Sequence, residues 1–115
     1  MSLNRSAALK LGEAAPLFAA LGDETRLKLV SRLCSEGPMS IARLSEGMEV
    51  TRQAITKHLH CLADAGLVQD SRQGRERIWE LRPKRIEKAR QHLDHISAEW
   101  DAALCRLQDF LREHP

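Results

Sequence analysis

Thr51, Arg52, Gln53, Thr56 and Lys57 put hydroxyl, guanidinium, amide and ammonium groups into one seven-residue stretch, with His60 a turn further on. At helical spacing they share a face. Hydroxyl, amide and guanidinium groups bond the edges of bases in a duplex groove, and cationic groups also bond phosphate. Arg72, Arg75 and Arg77 crowd a second site around Gly74, which suits phosphate or minor-groove contact. Each cluster also has a plain structural reading: a solvated helix face, and a hairpin edge kept from aggregating by charge.

The elements that would position these groups can be read from their neighbours. Thr51 is a good N-cap, because its hydroxyl can accept an orphan backbone N–H. Ile55, His58, Leu59 and Leu62 then recur at helical spacing as an inward face, and Ala65-Gly66 ends the helix. Upstream, Ser40 can cap a short helix from Ile41 to Glu46, with Ile41, Leu44 and Met48 as apolar contacts and Gly47 as the break. Downstream, Leu67-Val68 begins a strand, Gln73-Gly74 supplies a hairpin turn, and Arg75 to Leu81 returns. Met39 is placed to begin a short strand pairing with that hairpin. Helix, tight turn, helix and hairpin make a winged helix-turn-helix, mainly α with a small β-hairpin wing. Such an arrangement lays its second helix in a DNA major groove.

Flanking helices complete the pattern. Residues 1–6 read as loose. Ala7 to Leu21 reads as a first helix whose ordered part begins near Ala14-Ala15, with Pro16 in its first turn and Leu17, Phe18 and Leu21 on its buried side. Asp23 is placed to cap a second helix, with Leu27, Val30, Leu33 and Cys34 facing inward. Arg26 is expected to form an ion pair that orients this helix. Pro83 suits the first turn of a last helix over 83–113. There Ile86, Ala89, Leu93, Ile96, Trp100, Ala103, Leu107 and Phe110 alternate steps of three and four, an a/d seam that runs to the end of the chain. A small domain cannot cover so long a seam alone, so its distal part is expected to face a second copy, with Trp100 as the anchor.

A length of 115 residues fits one domain over 1–115, and 43% apolar with 30% charged residues fits a globular chain. The net charge of +2 is small, but its distribution is not even. Residues 51–85 carry eight Lys/Arg against four Asp/Glu, while 86–115 carry four against six. Positive charge is thus concentrated on the second helix and wing. No stretch is long and apolar enough for a membrane span or a leader, so no membrane partner is expected. Three cysteines without paired spacing fit reduced thiols and a cytoplasmic location. With no tyrosine, two Phe and two Trp, a stacking single-strand RNA binder is disfavoured. A Gly-rich phosphate loop, a nucleophile beside a base and a pocketed carboxylate pair are all missing, which argues against an enzyme.

LGDETRLKLVSRL (Leu21 to Leu33), TRQAITKHLHCLADAGLV (Thr51 to Val68) and GRERIWEL (Gly74 to Leu81) resemble the arsenic-repressor (ArsR) family of small bacterial winged-helix regulators. The resemblance covers nearly the whole chain in the same order. It implies a homodimeric repressor of double-stranded DNA that reads a palindromic operator, its first helix helping to clasp the partner. On that reading Thr51, Arg52, Gln53, Thr56 and Lys57 enter the major groove. Ser40 and His60 touch backbone, and Arg75 and Arg77 hold the flank. Leu17, Phe18, Leu93, Ile96, Trp100, Ala103, Leu107 and Phe110 form the dimer interface. The family often binds metals, but the cysteine pair of one such site is missing from the Ile41 helix. His92, Asp94 and His95 supply only half of another, so neither a metal nor any other cofactor is expected. Cys34 and Cys61 read as core residues, Cys105 as exposed, and His58 as a satisfied core histidine. The alternatives are a metal- or redox-sensing repressor of the same family, and a protein-interaction module that has lost DNA binding. Release by a small-molecule or protein effector stays open.

Overall fold

A computed structural model describes the backbone of residues 5–114 and the side chains of 12–114. Its elements are α1 (Arg5–Leu21), α2 (Glu24–Glu36), β1 (Met39–Ser40), α3 (Ile41–Leu44), α4 (Arg52–Asp64), β2 (Val68–Gln73), β3 (Glu76–Leu81) and α5 (Pro83–Glu113). The strands form one antiparallel sheet in the order β1-β3-β2. This is the winged helix-turn-helix order, with β1 added to the edge of the wing. Most of the loose segment expected over 1–6 lies outside the described residues.

Buried side chains from all parts of this order converge on one core: Leu17 and Ala20 of α1, Leu29 and Leu33 of α2, Met39, Leu44, Ile55, Leu59 and Leu62, then Leu67, Val68, Trp79 and Ala89. The α4 stripe follows from steps of four and three, which put Ile55, Leu59 and Leu62 on one side of the helix. In the wing, Val68, Asp70 and Arg72 stand opposite Leu81, Trp79 and Arg77. Alternation puts these six on one face, and its inner end, Val68 with Trp79, closes the core.

Two helix boundaries are fixed by hydrogen bonds the sequence foreshadows. Thr51 Oγ1 accepts the Ala54 N–H at 3.1 Å at the start of α4. At its end Gly66 takes φ +81° and donates to the Ala63 carbonyl, while Leu67 donates to the Leu62 carbonyl. That pair of bonds is a Schellman motif, and burial of both Leu62 and Leu67 supplies its apolar contact. The hairpin loop is Gly74-Arg75, so Arg75 belongs to the turn and the return strand starts at Glu76. Gly74 has φ +65° and no non-glycine residue has positive φ, the pattern of a type II′ turn.

Three expectations are corrected. α1 does not begin at Ala14: it runs from Arg5 straight through Pro16. Ala14, Leu17 and Ala20 are buried at steps of three across that position, and packing of this stripe outweighs the one hydrogen bond a proline removes. On α2 the inward side is Leu29 and Leu33 rather than Leu27 and Cys34. Leu27 is 51% exposed and Cys34 is exposed. Arg26 anchors its helix by hydrogen bonds to a backbone carbonyl and to His58, not by an ion pair.

α5 begins with Pro83 and runs 31 residues, about 46 Å at 1.5 Å per residue. Its first turns lie on the domain: Ala89 is buried and Ile86 half-buried, and His92 and Ile96 further on are half-buried as well. Leu93, Trp100, Leu104, Leu107, Phe110 and Leu111 are all at least half exposed, Trp100 at 66%.

Candidate nucleic-acid interface

Helix α4 exposes Arg52, Gln53 and Lys57, with Thr56 half-buried between them and Thr51 exposed at the cap. The Thr56 hydroxyl donates to the Arg52 carbonyl at 2.8 Å, so its lone pairs still face outward as acceptors. The Thr51 hydroxyl is engaged as the cap acceptor, which leaves its proton free to donate. Neither Arg52 nor Lys57 has a carboxylate within salt-bridge distance among the described residues. The first two turns of α4 are therefore an uncompensated cationic and hydrogen-bonding surface.

The wing lies beside that surface. A groove of about 380 Å³ is lined by Ser40, Ile41 and Ala42 at the start of α3, Thr56 on α4, and Glu76, Arg77 and Trp79 on β3. Ser40, Thr56 and Arg77 are thereby brought to one cleft. The Ser40 Oγ accepts the Arg43 N–H at 3.3 Å and caps α3. Arg77 is held by Asp70, Nε to Oδ2 at 3.0 Å, an exposed pair across the two wing strands. His60 turns toward the wing, its ring edge-on to Trp79 at 5.8 Å between centroids. Arg75 stands apart at the exposed turn.

Arg72, named with Arg75 and Arg77 as the cationic cluster of the hairpin, is exposed on β2. It is paired in register with Arg77. Two like charges directly opposite on one sheet face are unfavourable, and Asp70 on the same face pairs with Arg77. Only the register reveals this, and register depends on which residue begins the return strand.

Residues 21–69 match a family model described as a helix-turn-helix domain. Over 87 residues the chain is 36% identical to the HTH-type transcriptional regulator Rv2034 of Mycobacterium tuberculosis, covering 76% of this chain and 78% of that one. An ArsR-like transcriptional regulator from Rhodococcus has the same fold at 36% identity, with a TM-score of 0.69 over 87% of this chain and 93% of that chain. The chain belongs to the ArsR family of winged helix-turn-helix transcriptional regulators. It is a regulator rather than an enzyme. A further ArsR-like fold, a possible ArsR-family regulator from Mycobacterium bovis described as a homodimeric winged helix-turn-helix DNA-binding domain, is 21% identical with a TM-score of 0.61 and covers 90% of this chain. No helix among the described residues is long and apolar enough to cross a membrane.

The candidate sensor residues of this ArsR-family chain lie on α2, α4 and α5 and at the Asp23 cap. His95 Nε2 lies 3.0 Å from Glu99 one turn on, and Asp94 pairs with Arg90 at 3.1 Å. Among the described residues no three His, Cys, Asp or Glu side chains gather as a metal would need. Cys61 is half-buried against the core, while Cys34, expected inside, is exposed like Cys105. His58 is half-buried, its Nδ1 3.3 Å from Arg26 Nη1 and 3.8 Å from Asp23 Oδ2. Leu17 is buried in its own protomer, and Phe18 beside it is half-buried.

Proposed function

We propose that this ArsR-family regulator is a cytoplasmic, metal-independent homodimeric repressor that binds a palindromic operator in duplex DNA. The observation that carries the reading is the junction of α4 and the wing. There a capped helix exposes Arg52, Gln53 and Lys57, with no carboxylate in salt-bridge distance of Arg52 or Lys57 among the described residues, and Arg77 of β3 shares a groove with Thr56 of that helix. Thr51, Arg52, Gln53, Thr56 and Lys57 read base edges in the major groove. Ser40 and His60 bond the backbone, and Arg75, Arg77 and Arg72 hold the flanking phosphates. Binding exchanges the Asp70 carboxylate on Arg77 for a phosphate.

The exposed stripe on α5 supports a second copy as partner. A contiguous apolar face from Leu93 to Leu111 is larger than a soluble protomer ordinarily leaves open. Phe18, Leu93, Ile96, Trp100, Ala103, Leu107 and Phe110 form the interface, widened by Leu104 and Leu111. Leu17 supports it from inside its own core. The homodimeric Mycobacterium bovis domain of the same fold supports the same assembly. Two-fold pairing sets two α4 helices about 34 Å apart, one turn of duplex. Metal independence is supported by the pairing of Asp94 and His95 with neighbours on their own helix.

A panel of substitutions tests the roles. Arg52→Ala and Gln53→Ala relax sequence preference by about 1–3 kcal/mol per lost base contact. Arg75→Ala weakens all duplexes alike and lowers the slope of log affinity against log salt by about one. Unchanged operator affinity in all three overturns the assignment, and loss of every selective difference in the wild type would leave a protein-interaction module.

A further inference from the structure

The apolar contacts of α4 with α1 and α2 are non-directional, and they tolerate small slides of one helix along another. One polar link is not tolerant. The guanidinium of Arg26 donates through Nε to the carbonyl of Ala20, in the last turn of α1, at 2.6 Å. Its Nη1 lies 3.3 Å from Nδ1 of His58, in the middle of α4. A guanidinium has no acceptor, so Nδ1 of His58 accepts. Asp23, which caps α2 by accepting the Arg26 backbone N–H at 3.0 Å, holds the root of the same side chain. Arg26 therefore stands at the meeting of three helices. Among the described residues its bond to His58 is the only side-chain hydrogen bond from α4 to another helix.

We propose that Arg26 is a positioning residue for DNA recognition: through His58 it locks α4 to the end of α1, so that the placement of the dimer-forming helices sets the placement of the reading helix. A guanidinium fork is planar and rigid, and bonds at both of its ends fix distance and angle together. A base-reading constellation has to be held to about half an ångström to work. His58 sits one residue beyond Lys57 and six beyond Arg52, on the side of α4 turned away from the groove-facing set. A shift there moves every reading side chain at once. The inference rests on the DNA-binding reading of α4.

The test uses His58→Gln, whose amide oxygen can accept from Arg26, His58→Leu, which cannot, and Arg26→Lys, which has one donor centre and no fork. Affinity is measured for the operator duplex and for a scrambled duplex, together with the melting temperature. His58→Gln is expected within about threefold of wild type. His58→Leu and Arg26→Lys are expected to lose about tenfold on the operator, the size of one hydrogen bond to a charged group, with scrambled-duplex affinity unchanged and His58→Leu melting no lower than wild type. His58→Leu binding like wild type, or His58→Gln falling as far as His58→Leu, overturns the proposal. Amide exchange in the free protein keeps the two readings apart. Faster exchange across α4 in His58→Leu but not in His58→Gln supports the link even if the wild type selects no duplex, a result that would count only against the DNA-binding reading. Equal exchange in both variants counts against the link.

Discussion

Trp100→Ala should turn the proposed dimer into folded monomers. Trp100 lies more than two turns beyond Ala89, the last buried residue of α5, and is 66% exposed in the protomer. It takes no part in the core that holds α1 to α5. A tryptophan has up to about 250 Å² to bury, so roughly 165 Å² of Trp100 is open to a partner. At about 25 cal/mol per Å² that is about 4 kcal/mol per copy, of which an alanine keeps a small part. A two-fold interface contains the residue twice. Full burial therefore predicts a loss of about 6 kcal/mol per dimer, and half burial about 3 kcal/mol. These correspond to dissociation constants weaker by about ten-thousandfold and about a hundredfold. Sedimentation equilibrium across a concentration series reads the constant directly, and circular dichroism of the diluted variant reads whether the monomer is folded. A change of less than tenfold would refute the placement of Trp100 in the interface. An unfolded monomer would refute its placement outside the core.

Three further outcomes follow from the same geometry. Gly66→Ala forces a side chain onto φ +81°, while the new Cβ would meet only the flexible end of Arg85 at 3.2 Å. The cost is then backbone strain of about 1–2 kcal/mol, read as a melting temperature lower by several degrees. The Asp23 carboxyl titrates below its ordinary 3.8, chiefly because it accepts the Arg26 backbone N–H, with the Arg26 charge adding to this. Its folded value lies below its unfolded one, so its contribution is present above about pH 4 and is lost as pH falls through the folded value. Asp23→Asn should flatten acid unfolding in that window, and an unchanged acid limb would contradict the cap. Asp70→Asn releases Arg77 from an exposed pair worth at most about 1 kcal/mol, so DNA affinity should rise by no more than about fivefold. The gain should vanish in an Arg77→Gln background, and persistence there would show that Asp70 acts by bulk charge alone.

The elements that carry the candidate site were more legible in the sequence than the packing behind them. Local chemistry marks both ends of α4: a threonine hydroxyl caps one and a glycine free to take positive φ ends the other. Pro83 and the alternating three-four seam delimit α5 in the same way, and the helix runs over the expected 83–113. On α2, by contrast, Leu27, Leu29, Val30, Leu33 and Cys34 surround most of the helix. Which of them face inward depends on where α1, α4 and β3 lie, and that is not local information. Pro16 misled for a related reason, because its penalty is local and the stripe that outweighs it is tertiary. The opposition of Arg72 to Arg77 and the Asp70 pair depend on strand register. The bond from Arg26 to His58 spans 32 positions, and no spacing rule reaches it.

On the proposed function, α4 and the wing form a salt-sensitive, sequence-selective surface for duplex DNA. The most direct measurement is equilibrium binding of the wild-type protein to a duplex from upstream of its own reading frame and to a scrambled duplex of equal length, each over a range of salt. Binding to the first is expected to be tighter by about a thousandfold or more, with log affinity falling linearly and steeply against log salt for both. Equal affinity for the two duplexes, or affinity indifferent to salt, would contradict it.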